Sequence, residues 1–270
     1  MANTPRKIAF VLSATDHGAL IVNRFDEHKI SSDRAIGVGS QLLHTSAYEP
    51  GEVSTLRALL DLRRQHYGDG VIAVDCGANI GVHTVEWAKH MTGWGLVVGI
   101  EAQERIYYAL AGNVALNNCF NARLVLAAVA SQPGVMKIPN PNYFAPTSFG
   151  SLELKQRANP EFIGQDIDYS EAAMVDVRVV SIDAFNFSRL DLIKIDVEGM
   201  EFEALAGAIK SIERHRPILF VESLKVDKAQ LRAFLEDLNY SVVPVGLNFL
   251  AIHKKDKCHA SVQVVGAAAA

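Results

Sequence analysis

The stretch Val71–Gly81, VIAVDCGANIG, decides the fold of this chain. Its first four residues form an apolar run typical of a buried strand, and the run ends at the acid Asp75. Small residues follow, and a helical pattern begins after Gly81. Glycines in such a turn let the backbone approach a ligand closely, with N–H groups and a helix N-terminus facing it. The acid disfavours a pyrophosphate at this place and accepts a cationic ligand.

The bulk properties are those of a globular protein with an ample core. The chain has 270 residues, of which 49% are hydrophobic, and its net charge of −4 argues against a nucleic-acid partner. The cysteines Cys76, Cys119 and Cys258 show no zinc-ligand spacing, so we expect reduced thiols in a cytoplasmic protein, with Cys76 a small buried filler. Asp16 and His17 interrupt the N-terminal apolar run. We therefore expect neither a signal peptide nor a membrane span.

The sequence divides into three regions. Residues 1–66 are predicted to form an N-terminal extension, with a small β-hairpin over 6–24 and a helix that ends before Gly68. This helix either covers a cofactor pocket or packs on the edge of the sheet. Residues 67–258 form the main domain, which contains a proline-rich insertion at about 139–172. An irregular segment of that length inside a compact domain is usually functional or mobile. The tail, 259–270, is predicted to be disordered.

Strands and helices alternate from Val71 onward. This pattern predicts an α/β fold with a Rossmann-like, doubly wound sheet of seven strands. The last two strands, 240–243 and 249–253, are joined by a loop too short for a parallel crossover. They are therefore predicted to form an antiparallel C-terminal hairpin.

Helical periodicity places four helices in this domain, at about 80–91, about 104–117, 201–212 and 227–238. The helix at about 80–91 is predicted to turn Glu86 to solvent together with Lys89 and His90. A single helix is predicted over 201–212. Asp227 is predicted to cap the N-terminus of the helix that follows it.

Acids follow several of the predicted strands. Glu101 closes the second strand, 20 positions after Gly81, while Asp196 and Glu198 follow a later strand and Glu222 the next one. Ligands of doubly wound sheets bind beyond the carboxyl ends of the strands. An acid at Glu101 can bind both ribose hydroxyls of an adenosine.

The glycine turn differs from a dinucleotide fingerprint. The pattern is Asp75-x-Gly77-x-Asn79-x-Gly81, whereas dinucleotide sites carry G-x-G-x-x-G. The C-terminal hairpin also suits class I methyltransferases better than dehydrogenases. Together with Glu101, these features indicate a site for S-adenosylmethionine (SAM).

Five motifs resemble, in order, the FkbM-like family of SAM-dependent methyltransferases: VDCGANIGVHT, GIEA, VVSIDAF, LIKIDVEGMEFEALAG and RPILFVE. The similarity extends over residues 49–253. It implies a methyltransferase that acts on hydroxyl groups of sugars, polyketides and related secondary metabolites. It also implies contacts of the methionine and sulfonium end with Gly77, Ala78, Asn79 and Gly81, of the ribose with Glu101, and of the adenine with Ala102, Gln103, Ala128 and Val129.

Three residues are candidates for a catalytic base that removes the acceptor proton. Asp196 closes a buried strand and lies where the methyl group would be presented. Glu198 either contacts the acceptor or the cofactor or, equally expected, caps the next helix. His83 lies in the first turn of the glycine-loop helix, where a solvated histidine is the simpler interpretation. Thr84 is expected to bond the cofactor carboxylate or the backbone.

Metal and acceptor sites are less well specified. Carboxylates of Asp196, Glu198 and Glu222 suit a divalent cation such as Mg²⁺, but acids at strand ends also cap helices, so no metal is favoured. Three aromatic residues of the insertion either line an acceptor pocket or, as we favour, form its own small core. They are Phe144, Phe149 and Phe162.

Two other classes of function remain open at this point. A nicotinamide-dependent oxidoreductase shares the strand–glycine–helix–acid pattern, and a non-catalytic SAM-binding module would keep the turn without the chemistry. Within methyltransferases, nitrogen is an alternative acceptor atom. The expected partner is a small molecule, with neither nucleic acid nor membrane, and the extension offers a surface for a homo-oligomer.

Overall fold

The computed structural model describes residues 6–31 and 34–267. Residues 1–5 and 32–33 of the predicted extension, and 268–270 of the predicted tail, lie outside the described residues. The strands are β1 (Phe10–Thr15), β2 (Gly18–Asn23), β3 (His28–Lys29), β4 (Ala35–Ile36), β5 (Val71–Cys76), β6 (Gly95–Glu101), β7 (Ala122–Leu126), β8 (Ala128–Val129), β9 (Gly134–Pro139), β10 (Met174–Val180), β11 (Leu192–Ile195), β12 (Ile218–Glu222), β13 (Tyr240–Val245) and β14 (Asn248–His253). The helices are α1 (Val38–Thr45), α2 (Pro50–Tyr67), α3 (Val82–His90), α4 (Glu104–Leu116), α5 (Glu201–Ala206), α6 (Ile209–His215), α7 (Lys228–Asp237) and α8 (Cys258–Ala267), with 3₁₀ turns at Phe149–Ser151 and Ile182–Phe185.

The central sheet has seven strands, and it confirms the predicted fold class. Its order is β13-β14-β12-β11-β5-β6-β7. Strands β12, β11, β5, β6 and β7 are parallel, whereas β14 is antiparallel to both β12 and β13. The C-terminal hairpin therefore closes one edge of the sheet, as the short loop predicts. The sheet order changes direction between β5 and β11, which places a ligand crevice at their carboxyl ends.

Apolar layers cover both faces of this sheet. Successive residues of a strand point to opposite faces, so Val74 and Ile193 belong to one core layer while Ala73 and Leu192 belong to the other. Helices α5 to α7 supply the first layer and helices α2 and α3 the second. Strands that are apolar on both faces are expected in a parallel sheet buried between helices.

The N-terminal hairpin β1–β2 forms as predicted, but it packs against the main domain. Leu20 and Val22 of β2 share a core with Ile106 and Ala109 of α4 and with Phe149 of the insertion. The prediction that α3 turns Glu86 to solvent is wrong, because Glu86 is buried. The hairpin is the reason for this burial, since His17 in its turn contacts the Glu86 carboxylate. The turn between β1 and β2 covers the carboxylate of Glu86.

Two further predictions about helices are corrected. The segment 201–212 contains two helices, α5 and α6, which are separated at Gly207 and Ala208. Gly207 packs closely on the carbonyl oxygen of Ala130, which a side chain there would overlap. The tail forms helix α8 over Cys258–Ala267 where disorder was expected. By contrast, Asp227 caps α7 as predicted, since its side chain accepts a hydrogen bond from the backbone N–H of Gln230.

The described part of the chain contains no helix that is both long and apolar enough to cross a membrane. The thiols of Cys76, Cys119 and Cys258 are free and buried. Burial raises the pKa of the Cys76 thiol, so this residue is an inert core filler, as predicted.

Candidate active site

A cleft of about 1130 Å³ lies at the carboxyl ends of β5, β6, β11 and β12. The N-terminal extension and the insertion form its other walls, through residues such as Val38 and Ser151. Most of the residues predicted to act in catalysis or cofactor binding line this one cleft. They are Gly77, Ala78, Asn79, His83, Glu101, Ala102, Gln103, Ala128, Val129, Asp196 and Glu198.

The glycine turn lies against the next parallel strand. Gly77 has a φ of 79°, and a side chain there would overlap the carbonyl oxygen of Asp196. The N–H groups of Gly77 and Ala78 donate to the carbonyl of Ile100, at 3.0 and 2.9 Å. Because β5, β6 and β11 are held together at this point, the turn has one fixed position at the floor of the cleft.

Glu101 closes β6 and fixes the turn from its other side. Its Oε2 accepts a hydrogen bond from the backbone N–H of Asn79 at 2.9 Å, and its Oε1 accepts one from the N–H of Gln103 at 2.7 Å. Burial raises the pKa of Glu101 to about 7, although these N–H bonds oppose the rise. The carboxylate thus lies at the cleft wall between the turn and the start of α4, where an adenosine ribose is predicted.

Asp75, Gly81 and Thr84 are placed differently from the other predicted residues. None of the three is among the cleft-lining residues. Thr84, which is fully buried, donates to Asp75 Oδ2 at 2.7 Å. The structure therefore joins Asp75 and Thr84 to each other beneath the turn, while Gly81 precedes the first turn of α3.

Three acids converge at the ends of β11 and β12. Oxygen atoms of Asp196, Glu198 and Glu222 lie within 4.8 Å of one another. Lys194 Nζ donates to Asp196 Oδ2 at 2.8 Å, and Lys225 Nζ lies 2.7 Å from Glu198 Oε2. Glu222 Oε2 is buried without a hydrogen-bond partner among the described residues. Asp196 and Glu198 thus each pair with a lysine at less than 3 Å, whereas Glu222 has no such partner among the described residues.

The charges of this cluster influence one another. Burial and then the Asp196 charge raise the pKa of Glu222 to about 8, and the same two causes raise the pKa of Glu198. Burial disfavours the ammonium of Lys194, but Asp196 and Asp75 outweigh this and leave its pKa above the usual range. Burial and the neighbouring Asp196 charge therefore both favour the protonated form of Glu198 and Glu222.

Glu198 does not cap the following helix, which was one of its two predicted roles. The backbone N–H groups of Val197 and Gly199 donate instead to Glu201 Oε1, at 3.2 and 3.1 Å. Glu198 has a φ of 56° and directs its carboxylate to Lys225. Its side chain is consequently free of the helix and faces the cleft.

His83 is buried, so the expectation of a solvated histidine is wrong. It is 6% exposed, and its Nε2 lies 3.1 Å from Glu52 Oε1. Glu52 also accepts a hydrogen bond from Asn248 Nδ2 at 3.0 Å. Tyr48 packs edge-on against the imidazole. Helix α2 of the extension therefore supplies part of the cleft wall, next to the acid cluster.

The insertion contributes one phenylalanine to a core and leaves two exposed. Phe149 is fully buried and stacks on Tyr143, with ring centroids 4.9 Å apart. Phe144 and Phe162 are exposed, and neither lines the cleft. The three phenylalanines therefore do not form a small core of the insertion's own. Phe149 packs with Tyr143 of the insertion, but the rest of its core comes from the extension, the glycine turn, α3 and α4.

Sequence reasoning missed four residues that shape this site: Glu52, Lys194, Lys225 and Asp26, whose carboxylate accepts hydrogen bonds from the N–H groups of Gly39 and Phe149. Only Lys194 had a signal in the sequence, because a lysine inside the apolar run of β11 requires a buried counter-ion. The partners of the other three are distant along the chain. Glu52 and Asn248, for example, are 196 positions apart.

The raised pKa of Glu222 predicts a pH-dependent stability. Folded Glu222 holds a proton up to about pH 8, whereas the ordinary carboxyl releases it near 4.5. The proton that Glu222 binds more tightly in the folded state stabilises the fold. This stabilisation is fully present below the unfolded pKa of 4.5 and is lost as the pH rises through the folded pKa of about 8. Glu222→Gln carries no titrating proton. We therefore expect its melting temperature, relative to wild type, to rise progressively from pH 5 to pH 9.

Thermal unfolding of both proteins over this pH range measures the effect. Glu213→Gln, at an exposed position of α6, is the control and should run parallel to wild type. Parallel curves for Glu222→Gln and wild type would contradict the predicted titration.

The sheet order and the placement of the cleft are those of the Rossmann-like methyltransferase fold. A model of the methyltransferase FkbM domain matches residues 75–242, which is more than half of the chain. The chain therefore belongs to the FkbM methyltransferase family, as its motifs indicate. A comparison with curated proteins finds no match.

Solved structures similar to this chain include several methyltransferases. Methyltransferase FkbM from Methylobacillus flagellatus KT is 18% identical with a TM-score of 0.46, and the match covers 68% of this chain and 43% of that one. Precorrin-6y C5,15-methyltransferase from Geobacter metallireducens GS-15 is 16% identical with a TM-score of 0.42, covering 76% and 88%. Magnesium protoporphyrin IX methyltransferase from Synechocystis PCC 6803, solved with bound SAM, is 12% identical with a TM-score of 0.42, covering 76% and 79%. The chain thus spans less than half the length of the Methylobacillus protein.

Proposed function

We propose that this chain binds SAM in the cleft and transfers a methyl group to a hydroxyl of a small molecule, such as a sugar, a polyketide or a related secondary metabolite. One observation carries the proposal. The glycine turn, Glu101 and the acid cluster, which are far apart in the sequence, line a single cleft at the carboxyl ends of the central strands.

The residues present fit SAM. The turn offers a close backbone approach at Gly77 and Ala78, and Glu101 offers a carboxylate for ribose hydroxyls. Ala102 and Val129 provide small apolar walls for an adenine. The neighbouring acids favour a cation. When bound, SAM supplies a methyl group on a positively charged sulfur, which is already activated for transfer.

The chain itself has three tasks: to align the acceptor oxygen, to exclude water and to receive the acceptor proton. Alignment alone lowers the activation free energy by about 7–11 kcal/mol at best. Asp196 is the proposed base, with Lys194 as its counter-ion and Glu198 beside it as the alternative. A base of this kind contributes roughly 10²–10⁴-fold in rate. We assign His83, held by Glu52, to the acceptor side of the cleft, because both residues line the cleft and Glu52 lies close enough to Lys194 to affect its pKa.

The charge of the cleft bears on the acceptor. Eight Asp and Glu residues line it against three Lys and Arg residues. Burial raises the pKa of three of these acids, Glu101, Glu198 and Glu222, but the other five still exceed the three cations. This excess of negative charge disfavours an anionic acceptor and favours a neutral, hydroxyl-rich or cationic one. This supports a sugar-like or amine-bearing acceptor over a phosphorylated one, and it does not suit nucleic acid.

Calorimetric titration with S-adenosylhomocysteine (SAH) and with NAD tests the proposal against its main alternative. We expect binding of SAH and no binding of NAD. Binding of NAD without SAH would favour the nicotinamide-dependent oxidoreductase. Transfer of a labelled methyl group from SAM to a panel of sugars, amino sugars and phenols then separates an enzyme from a non-catalytic module.

Asp196→Asn is expected to lower methyl transfer at least about tenfold while SAH affinity changes little, because the variant removes a proton acceptor and keeps the shape. Initial rates and SAH titration of the same preparation measure the two effects. Glu203→Gln, on α5 and outside the cleft lining, is the control. An unchanged rate in Asp196→Asn would contradict the proposal that Asp196 is the base.

A further inference from the structure

Asp26 joins the N-terminal extension to the insertion. It lies between β2 and β3 and is 2% exposed. Its Oδ2 accepts a hydrogen bond from the N–H of Gly39 at 2.8 Å, and its Oδ1 accepts one from the N–H of Phe149 at 3.1 Å. One carboxylate therefore links the start of α1 to the 3₁₀ turn at Phe149–Ser151, although Asp26 and Phe149 are 123 positions apart in the chain.

Within the extension, further hydrogen bonds and close backbone packing hold Asp26 in place. The carbonyl of Asp26 accepts a further hydrogen bond from the N–H of Ser40 at 2.8 Å. Gly37, at a φ of 134°, has no room for a side chain, which would overlap that carbonyl. Burial raises the pKa of Asp26 to about 6, and the N–H groups of Gly39, Phe149 and Val38 oppose the rise. A buried carboxyl without a cation is costly unless such hydrogen bonds satisfy it.

On the other side, the 3₁₀ turn touches predicted cofactor residues. The carbonyl of Phe149 accepts a hydrogen bond from Gln103 Nε2 at 2.8 Å. A side-chain carbon at Gly150 would be 2.8 Å from Asn79 Nδ2. Gly150 and Ser151 line the cleft from the turn, as Val38 and Ser40 do from α1. Asp26 thus bonds directly to two segments that both line the cleft.

We propose that Asp26 is a positioning residue for cofactor binding, which holds α1 and the 149–151 turn together as one cover over the end of the cleft lined by Glu101 and Gln103. The inference rests on the proposed function, because it concerns the same cofactor. Asp26 itself does not contact the ligand. It acts by keeping two segments in the place where they can enclose an adenosine.

Asp26→Ala should weaken SAH binding at least about tenfold, since two walls of the cleft lose their common anchor. The matched control is Asp183→Ala. Asp183 likewise accepts two backbone N–H groups at a helix start, those of Lys210 at 3.1 Å and Ser211 at 2.8 Å, but it is not among the cleft-lining residues. Both variants should melt at lower temperatures than wild type, whereas Asp183→Ala should keep SAH affinity within about twofold. Titration well below both melting temperatures compares them as folded proteins.

Hydrogen exchange gives a readout that does not depend on catalysis. In wild type, SAH should slow amide exchange in residues 37–41 and 148–151 as well as in 77–81. In Asp26→Ala, only the protection of 77–81 should remain. If Asp26→Ala does not fold, Asp26→Asn takes its place, because it keeps the shape and one acceptor oxygen.

The outcomes separate the two proposals. Equal SAH affinity in Asp26→Ala and wild type, or equal weakening in the Asp26 and Asp183 variants, would show that Asp26 is a purely structural link and would overturn this inference alone. No SAH binding by wild type would overturn the proposed function and the inference with it.

Discussion

Gly77→Val is expected to abolish SAH binding and to lower the free energy of unfolding. Gly77 has a φ of 79°, which is strained for a β-branched residue and costs about 1–3 kcal/mol. The new side chain would also overlap the carbonyl oxygen of Asp196, and overpacking of this kind costs about 1–3 kcal/mol more. Relief of the overlap must separate the ends of β5 and β11, so the turn and Asp196 leave their positions together.

SAH titration and thermal unfolding measure the two consequences. Gly134→Val is the matched control, because Gly134 begins the strand β9 and a side chain there meets open space. It should leave both quantities near their wild-type values. SAH affinity within about threefold of wild type in Gly77→Val would remove the turn from the cofactor site.

The frame of the site could be predicted because its signals are local. The apolar run into Asp75, the small residues after it and Glu101 at the end of the next strand each report on their own neighbourhood in the chain. The short link between β13 and β14 fixes an antiparallel pair by length alone. These signals are enough to predict the sheet, the turn and the edge at which a ligand binds.

The contacts that complete the site could not be predicted, because they join distant segments. The burial of Glu86 depends on His17, whose Nδ1 lies 3.2 Å from Glu86 Oε1. Helical periodicity shows only that Glu86 lies opposite the apolar face of α3, and it contains no information about the hairpin that covers this face. The pairing of Lys225 with Glu198 has the same character. Both contacts are set by tertiary packing, and the spacing of residues along the sequence does not predict either of them.

Asp191→Ala is expected to lower the free energy of unfolding by about 3–5 kcal/mol, since it breaks a buried ion-pair network and leaves cations without their partner. Asp191 is fully buried and lies just before β11, at the end of the strand opposite the cleft. Its carboxylate accepts hydrogen bonds from Arg63 Nε at 3.0 Å, from Arg189 Nε at 2.8 Å and from the N–H of Ile72 at 2.9 Å. Arg63 also pairs with Asp256.

Denaturant unfolding measures this loss, and Asp69→Ala is its control. Asp69 pairs with Arg64 at 2.7 Å, but both side chains are exposed, and an exposed pair contributes only about 0–1 kcal/mol. A change in Asp191→Ala no larger than in Asp69→Ala would mean that the network adds nothing to stability.

SAH affinity distinguishes Asp191→Ala from Gly77→Val. Both residues contact segments that position β11, and both variants are expected to lose several kcal/mol. Asp191 acts at the amino end of the strand, so a folded Asp191→Ala protein should bind SAH as wild type does. Loss of affinity in both variants would mean that binding follows global stability. Loss in Gly77→Val alone would show that the cleft depends on the local junction between the glycine turn and Asp196.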